Sequence, residues 1–151
     1  MIAALDGEGA AARFNSPTDV ATDAEGNIYV VEPFNSLVRK VTPGGVVTTL
    51  AGAAGQVGDA DGAGSAARFG SPSGVVVDAA GNVYVADSEK ATIRKVSHDG
   101  EVSTLAGTSG AAGILLGAAP RFSRPSSLAI VGDSLVIADI NAILVLRHAV
   151  H

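Results

Sequence analysis

Arg68-Phe69-Gly70-Ser71-Pro72-Ser73-Gly74-Val75-Val76-Val77-Asp78-Ala79-Ala80-Gly81-Asn82-Val83-Tyr84-Val85-Ala86-Asp87 occurs in this chain almost twice over. Residues 13–52 align with 68–107 without a gap, and half of the aligned positions are identical. Arg13-Phe14 falls on Arg68-Phe69, Ser16-Pro17 on Ser71-Pro72, and Gly26-Asn27 on Gly81-Asn82. Arg39-Lys40-Val41 falls on Arg94-Lys95-Val96, and Thr49-Leu50-Ala51-Gly52 on Thr104-Leu105-Ala106-Gly107. A third copy has drifted further. It begins at Arg121-Phe122, keeps Leu135-Val136-Ile137-Ala138-Asp139, and reaches Ile143-Leu144-Val145-Leu146 after a short deletion. Self-similarity at a fixed period identifies a duplicated structural unit before any secondary structure is assigned.

Each unit reads as four short strands. Gly74 to Val77 is a continuous apolar run suited to burial on both faces. Asp78 to Asn82 is a turn, with Gly81 and Asn82 expected to supply positive φ. Val83 to Ala86 is the second strand, Thr92 to Val96 the third, and Glu101 to Leu105 the fourth. His98-Asp99-Gly100 turns between the last two, as Thr42-Pro43-Gly44-Gly45 does in the first copy. Strands of this length with a turn signal after each predict an antiparallel meander with no helix anywhere. Four strands per repeat of some 50 residues is the pattern of a β-propeller blade. The fold class expected is therefore all-β, with three blades of four antiparallel strands over a single unit of residues 1–151. Blade 1 is expected over 13–52, blade 2 over 68–107, and blade 3 over 121–151 with its last strand missing.

The pattern Ser-Pro-x-x-Val, then Asp-x-x-Gly-Asn-x-Tyr-Val-Ala-Asp, then Ile-Arg-Lys-Val resembles the NHL-repeat family, across roughly residues 6–148. The resemblance implies a six-bladed ring. It also implies an Asp at the end of strand two, where this chain has Glu32, Asp87 and Asp139, and an Asn before strand three, where it has Asn35, Lys90 and Asn141.

Three blades leave two open sheet edges, which is an association hazard. Two copies around a two-fold axis would make six blades. Homodimerisation is thus the expected assembly. Ile2-Ala3-Ala4-Leu5-Asp6-Gly7 resembles the end of a fourth strand, Thr48 to Gly52, so residues 1–5 are a candidate closing strand exchanged with the partner. Ile2 and Leu5 are then interface candidates. Ile114, Leu115 and Leu116, an apolar triplet in a linker, are further interface candidates.

Loops carry function on such scaffolds. Glu32, Asn35, Asp87, Lys90, Asp139 and Asn141 are expected on one rim. They read either as a polar cup for a ligand or as caps on loop backbone. Arg13, Arg68 and Arg121 recur in the inter-blade linkers. They read either as an anion ring or as ties between loops. His98, His148 and His151 fall outside the cup loops, so no His-based catalytic metal site is expected, and no motif implies a cofactor.

Composition narrows the partners. The net charge is −5, from 10 basic and 15 acidic residues, and the basic residues are spread along the chain. A nucleic-acid interface needs a basic face, so none is expected. The chain has no Cys and no apolar run long enough to span a membrane. No signal peptide is seen, which makes a cytoplasmic location the default, and a secreted parent would look the same. The function these features suggest is a non-enzymatic propeller scaffold that binds a protein or peptide. The alternative is a metal-assisted hydrolase or lyase using carboxylates near the ring axis.

Overall fold

A computed structural model describes residues 4–110 and 120–150. They form three antiparallel sheets. The first contains β1 (Gly7–Glu8), β2 (Asp19–Thr22), β3 (Ile28–Glu32), β4 (Leu37–Val41) and β5 (Val46–Gly52). The second contains β6 (Gly62–Ala63), β7 (Pro72–Val77), β8 (Val83–Asp87), β9 (Thr92–Val96) and β10 (Glu101–Gly107). The third contains β11 (Ser127–Val131), β12 (Ser134–Asp139) and β13 (Ala142–Leu146). Within each sheet the last four strands, or three in the third, follow one another as a meander. The chain is all-β, and the sheets are propeller blades.

Four features differ from the sequence reading. The first two blades have a fifth strand. Gly7–Glu8 pairs with Val46 and Val47, and Gly62–Ala63 pairs with Glu101 and Val102, so each blade's entry segment caps its own outer edge. Two residues of pairing suffice because the next residues turn away, at Gly9–Ala11 in a single 3-10 turn. A second 3-10 turn, Pro33–Asn35, fills the β3–β4 loop, with Pro at its first position where a missing N–H costs nothing. Asn82, expected to supply positive φ, does not. Gly81 does so at φ 83°, and the Asn82 amide bonds to Asp78 instead. At the N-terminus, Leu5 pairs with Arg13 of its own chain in an isolated bridge. From Leu5 on, this stretch is blade 1's entry segment, the counterpart of Ala60–Ala63. Ile2 and Ala3 lie outside the described residues.

The alternation of strand side chains gives each blade two faces. The front face of blade 1 carries Tyr29, Val31, Val38 and Ala51. It packs on the rear face of blade 2, which carries Val75, Val83, Val85, Val96 and Val102, with Phe69 wedged between. The front face of blade 2 carries Tyr84, Ala86, Ile93 and Ala106. It packs on the rear face of blade 3, which carries Leu128, Leu135 and Ile137, with Phe122 in the matching position. Each seam buries a near-continuous aliphatic layer, and burial is the dominant favourable term in folding. The first strands β2, β7 and β11 lie side by side along the inner edge.

Polar ties reinforce the inner edge. Asp19 accepts from the Val75 N–H at 3.0 Å, and the Thr18 hydroxyl donates to the Ser73 carbonyl at 3.2 Å. In blade 2 the residue equivalent to Asp19 is Gly74, and the backbones close up. A Cβ there would lie 2.6 Å from the Ser126 carbonyl oxygen and 2.9 Å from the Ser127 Cα. Gly74→Ala is therefore expected to lower stability by about 1–3 kcal/mol through overpacking. Gly44→Ala, whose Cβ would meet nothing closer than 3.9 Å, should stay within about 0.5 kcal/mol. Urea unfolding of the two variants beside the parent chain checks both.

Candidate functional site

Meander topology places the β3–β4, β8–β9 and β12–β13 loops at one end of the blades, together with the linkers that cross from each outer strand to the next inner strand. All the sequence-predicted rim residues that are described sit there. Glu32 and Asp87 are fully buried and Asp139 nearly so. Their carboxylates all turn to the incoming linker. Asp87 accepts from the N–H groups of Gly70, at 2.7 Å, Ser71, at 2.9 Å, and Lys90. Asp139 does the same with Ser123 at 2.7 Å, Arg124 at 2.6 Å and Ile140 at 2.7 Å. Glu32 takes the Asn15 N–H and, with its other oxygen, the Arg39 guanidinium at 2.7 Å. Burial pushes the Asp87 carboxyl above its usual range, against the pull of the Gly70, Ser71 and Lys90 N–H groups and of Arg94.

Of the remaining rim residues, Asn35 is buried, with its Nδ2 lacking a protein acceptor. Lys90 is half-buried and pairs with Glu89 at 3.4 Å. Asn141 is exposed. Among the described residues no three His, Asp or Glu side chains are close enough to share a metal ion. Arg13 and Arg68 each donate to carbonyls of their own linker turn, Ala10 and Ala12 for Arg13, Ser65 and Ala67 for Arg68. Arg121 is exposed. Ile114, Leu115 and Leu116 lie outside the described residues, and Leu5 is exposed at its side chain while its backbone is paired.

The strongest polar constellation is one the repeat alignment contained but did not single out. Arg39 and Arg94 are the largest fully buried side chains. The Arg94 fork donates to the Arg68 carbonyl at 2.8 Å, the Ala60 carbonyl at 2.9 Å and the Asp61 carboxylate at 2.7 Å. Arg39 repeats the set with Arg13 O, Leu5 O and Asp6. Each guanidinium also lies over a phenyl ring, Phe14 or Phe69, at 5.0 Å from the centroid. Strand alternation was the available signal. In Arg94-Lys95 the two cations must face opposite sides, so one of them points into a seam. Blade 3 has Leu144 at this position.

At the other end of the blades, Asp23 and Asp78 organise the first turn. Asp78 accepts from Asn82 N–H at 2.9 Å, Asn82 Nδ2 at 3.0 Å and the Tyr84 hydroxyl at 3.0 Å. Burial raises the Asp78 carboxyl, and these bonds outweigh it and hold it below its usual range. Tyr29, in the equivalent place, is pushed up to about 12 by burial and by its bond to Asp23. A cleft of about 90 Å³ lies between blades 1 and 2 here, lined by Asp23, Tyr29, Lys40 and His98 among others. That is room for a few waters, well short of the roughly 300 Å³ where small-molecule pockets begin.

Residues 69–96 match the model of the NHL repeat. Blade 2 is an NHL repeat. The protein Suppressor of quenching 1, chloroplastic, from Arabidopsis thaliana is 32% identical over 105 residues, which is 66% of this chain and 10% of that protein. A solved structural-genomics protein of unknown function from Bacteroides thetaiotaomicron shares 33% identity at a TM-score of 0.69, over 76% of this chain and 30% of its own. An auxiliary nutrient binding protein from the same organism shares 21% identity at a TM-score of 0.69, over 80% of this chain and 34% of its own. The chain thus spans a tenth of the curated relative and about a third of each solved structure. The NHL match includes Phe69, Asp87 and Arg94, the residues that fix the linker to the blade.

Arg94→Leu, which copies blade 3, should cost about 2–4 kcal/mol, since two carbonyls and a carboxylate lose their donors together. The Asp61 end of the tie has a pH signature. Burial raises its carboxyl, and bonds from Arg94 and Thr104 outweigh that and hold it below the ordinary carboxylate range. A depressed folded value stabilises above the unfolded value and is lost as pH falls through the folded one. The stability gap between the parent chain and Asp61→Asn is therefore expected at pH 7 and should close below about pH 4. Urea midpoints from pH 7 to pH 3 measure it.

Proposed function

We propose that this chain is a non-enzymatic binding module that self-associates to complete a propeller and takes a protein or peptide on its linker rim. The observation that carries this reading is how the rim divides its residues. Its carboxylates are buried and spent on linker backbone, so they support the metal-assisted alternative poorly. Beside exposed polar residues such as Asn141, the same rim exposes large apolar ones. Phe34 is 77% exposed, Ile140 63% and Val57 56%. Large apolar side chains on several loops of one rim suit a macromolecular contact better than bond-breaking chemistry.

Self-association is supported by the two outermost blade faces, which lack the cover that every internal face has. Light scattering of the purified chain is expected to give a two-chain mass, and a one-chain mass would remove the assembly from this reading. Elemental analysis of the same sample is expected to find no stoichiometric divalent ion. A retained ion would favour the hydrolase or lyase alternative.

A further inference from the structure

The two uncovered faces differ from the covered ones in exposure and, at a few positions, in residue type. Cross-strand register fixes the equivalences. Val85 opposes Arg94 and Ile137 opposes Leu144, so Tyr84 corresponds to Val136, Lys95 to Val145, Ile93 to Ile143 and Asp78 to Val131. Blades 1 and 2 thus present an Asp–Tyr–Lys cluster on the outer part of the front face, with the Tyr hydroxyl on the Asp and the Lys over the ring. Blade 3 presents Val131, Val136 and Val145 there.

One opposing rear position also changes. Facing the Asp23–Lys40 cluster of blade 1, across the cleft, is His98 of blade 2. Two residues beyond the third strand, as His98 is in blade 2, blade 3 has His148, which turns to Asp133 of its own blade at 2.5 Å and is largely exposed. In blade 1 that position is Pro43. A polar cluster therefore meets a polar position at the seam of blades 1 and 2, and at the corresponding places the two uncovered faces carry Val131, Val136 and Val145 on one side and Pro43 on the other. Their exposure shows what is missing. Ile143 is 70% exposed where Ile93 is fully buried, and Val145 and Val131 are 53% and 64% exposed. On blade 1, Val20 is 58% exposed where Val75 is 2%, and Ile28 is 36% exposed where Val83 is 1%.

From this we infer that the front face of blade 3 seats on the rear face of blade 1 of a second copy of this chain, Val131, Ile143 and Val145 meeting Val20, Ile28 and Pro43. The inference rests on the self-association proposed above and specifies its partner face. Two such seams, related by a two-fold axis, close six blades. The contact is head-to-tail at each seam, so the same face never meets itself. It is drier than the internal seams, because the Asp–Tyr–Lys cluster is replaced on one side and the His on the other. A mismatched pairing, in which the apolar blade 3 face met a rear face carrying His98, would bury a polar ring away from Asp23, which it faces across the internal cleft.

The test uses the full chain, which has no native Cys. At the internal seam a Cβ on Gly74 would lie 2.9 Å from the Cα of Ser127. The same juxtaposition at the new seam brings Ser127 of one copy to Asp19 of the other. Ser127→Cys and Asp19→Cys chains, mixed and treated with a short thiol-reactive bifunctional cross-linker, are expected to give a linked two-chain band, while neither variant alone cross-links above background. Val145→Asp should halve the particle mass with the circular dichroism of the blades kept, and Val57→Asp, exposed on the rim away from the seam, should leave the mass unchanged. If each cysteine variant links to itself, or Val145→Asp leaves a two-chain mass, the head-to-tail seam is wrong and self-association stands. If the parent chain has a one-chain mass, both are wrong.

Discussion

A guanidinium buried beneath a crossing linker is the interaction on which the rest of this structure hangs. A propeller blade is a meander, and meanders form locally. What has to be specified is where the chain goes after the outer strand, since it must return across the blade end to the inner edge of the next sheet. That crossing carries backbone carbonyls that no strand can satisfy, and unpaired buried carbonyls are costly. Arg94 answers with a planar fork that reaches the Ala60 and Arg68 carbonyls and the Asp61 carboxylate at once. Asp87 answers from the neighbouring strand with the complementary charge, accepting the N–H groups of Gly70 and Ser71. Between them, donors hold the linker's carbonyls and an acceptor holds its N–H groups. Phe69 is then fixed at the seam, and its ring stacks on the same guanidinium.

Such a tie is not chiefly a source of stability. Removing two charges from water costs several kcal/mol per ion before their attraction repays it. The Nε atoms of Arg39 and Arg94 have no acceptor among the described residues, which adds to the cost. Its value is geometric. The five-donor fork fits one arrangement of acceptors, so it fixes where the linker crosses and hence which blade faces meet. The aliphatic seams then supply most of the favourable free energy, and they could do so in more than one register if nothing else chose.

The repeat made the blades legible, because strand content, strand order and the Phe at each seam all follow from alternation and turn residues. The β9 strand, Thr92 to Val96, lies where the sequence puts it. The short fifth strands were not legible. Gly7–Glu8 and Gly62–Ala63 have no strand-like composition and pair only because the linker passes an exposed edge. The rim residues were legible as a set through their recurrence. Their direction was not, since a carboxylate facing an axis and one facing backbone N–H groups leave the same trace in a sequence. Arg39 and Arg94 were hidden by their neighbours. An Arg-Lys pair reads as two solvated charges, and only the strand's two-residue period says that they part.

Blade 3 shows what happens when the tie is absent. Leu144 takes the arginine's place, and the same blade carries valines where its predecessors carry Asp, Tyr and Lys. These changes fall on opposite faces of one sheet, which a single loss of polarity at one surface would not produce. The rear face, with Leu144 inside, became a simpler aliphatic layer against blade 2. The front face became apolar while still uncovered, which for a surface left in water raises the risk of non-specific association. Blade 1 departs at Pro43, where blade 2 has His98, while Val20 and Ile28 stand where blade 2 has Val75 and Val83 and differ from them chiefly in being exposed. The front face of blade 3 and the rear face of blade 1 are thus the two aliphatic faces that no other blade among the described residues covers.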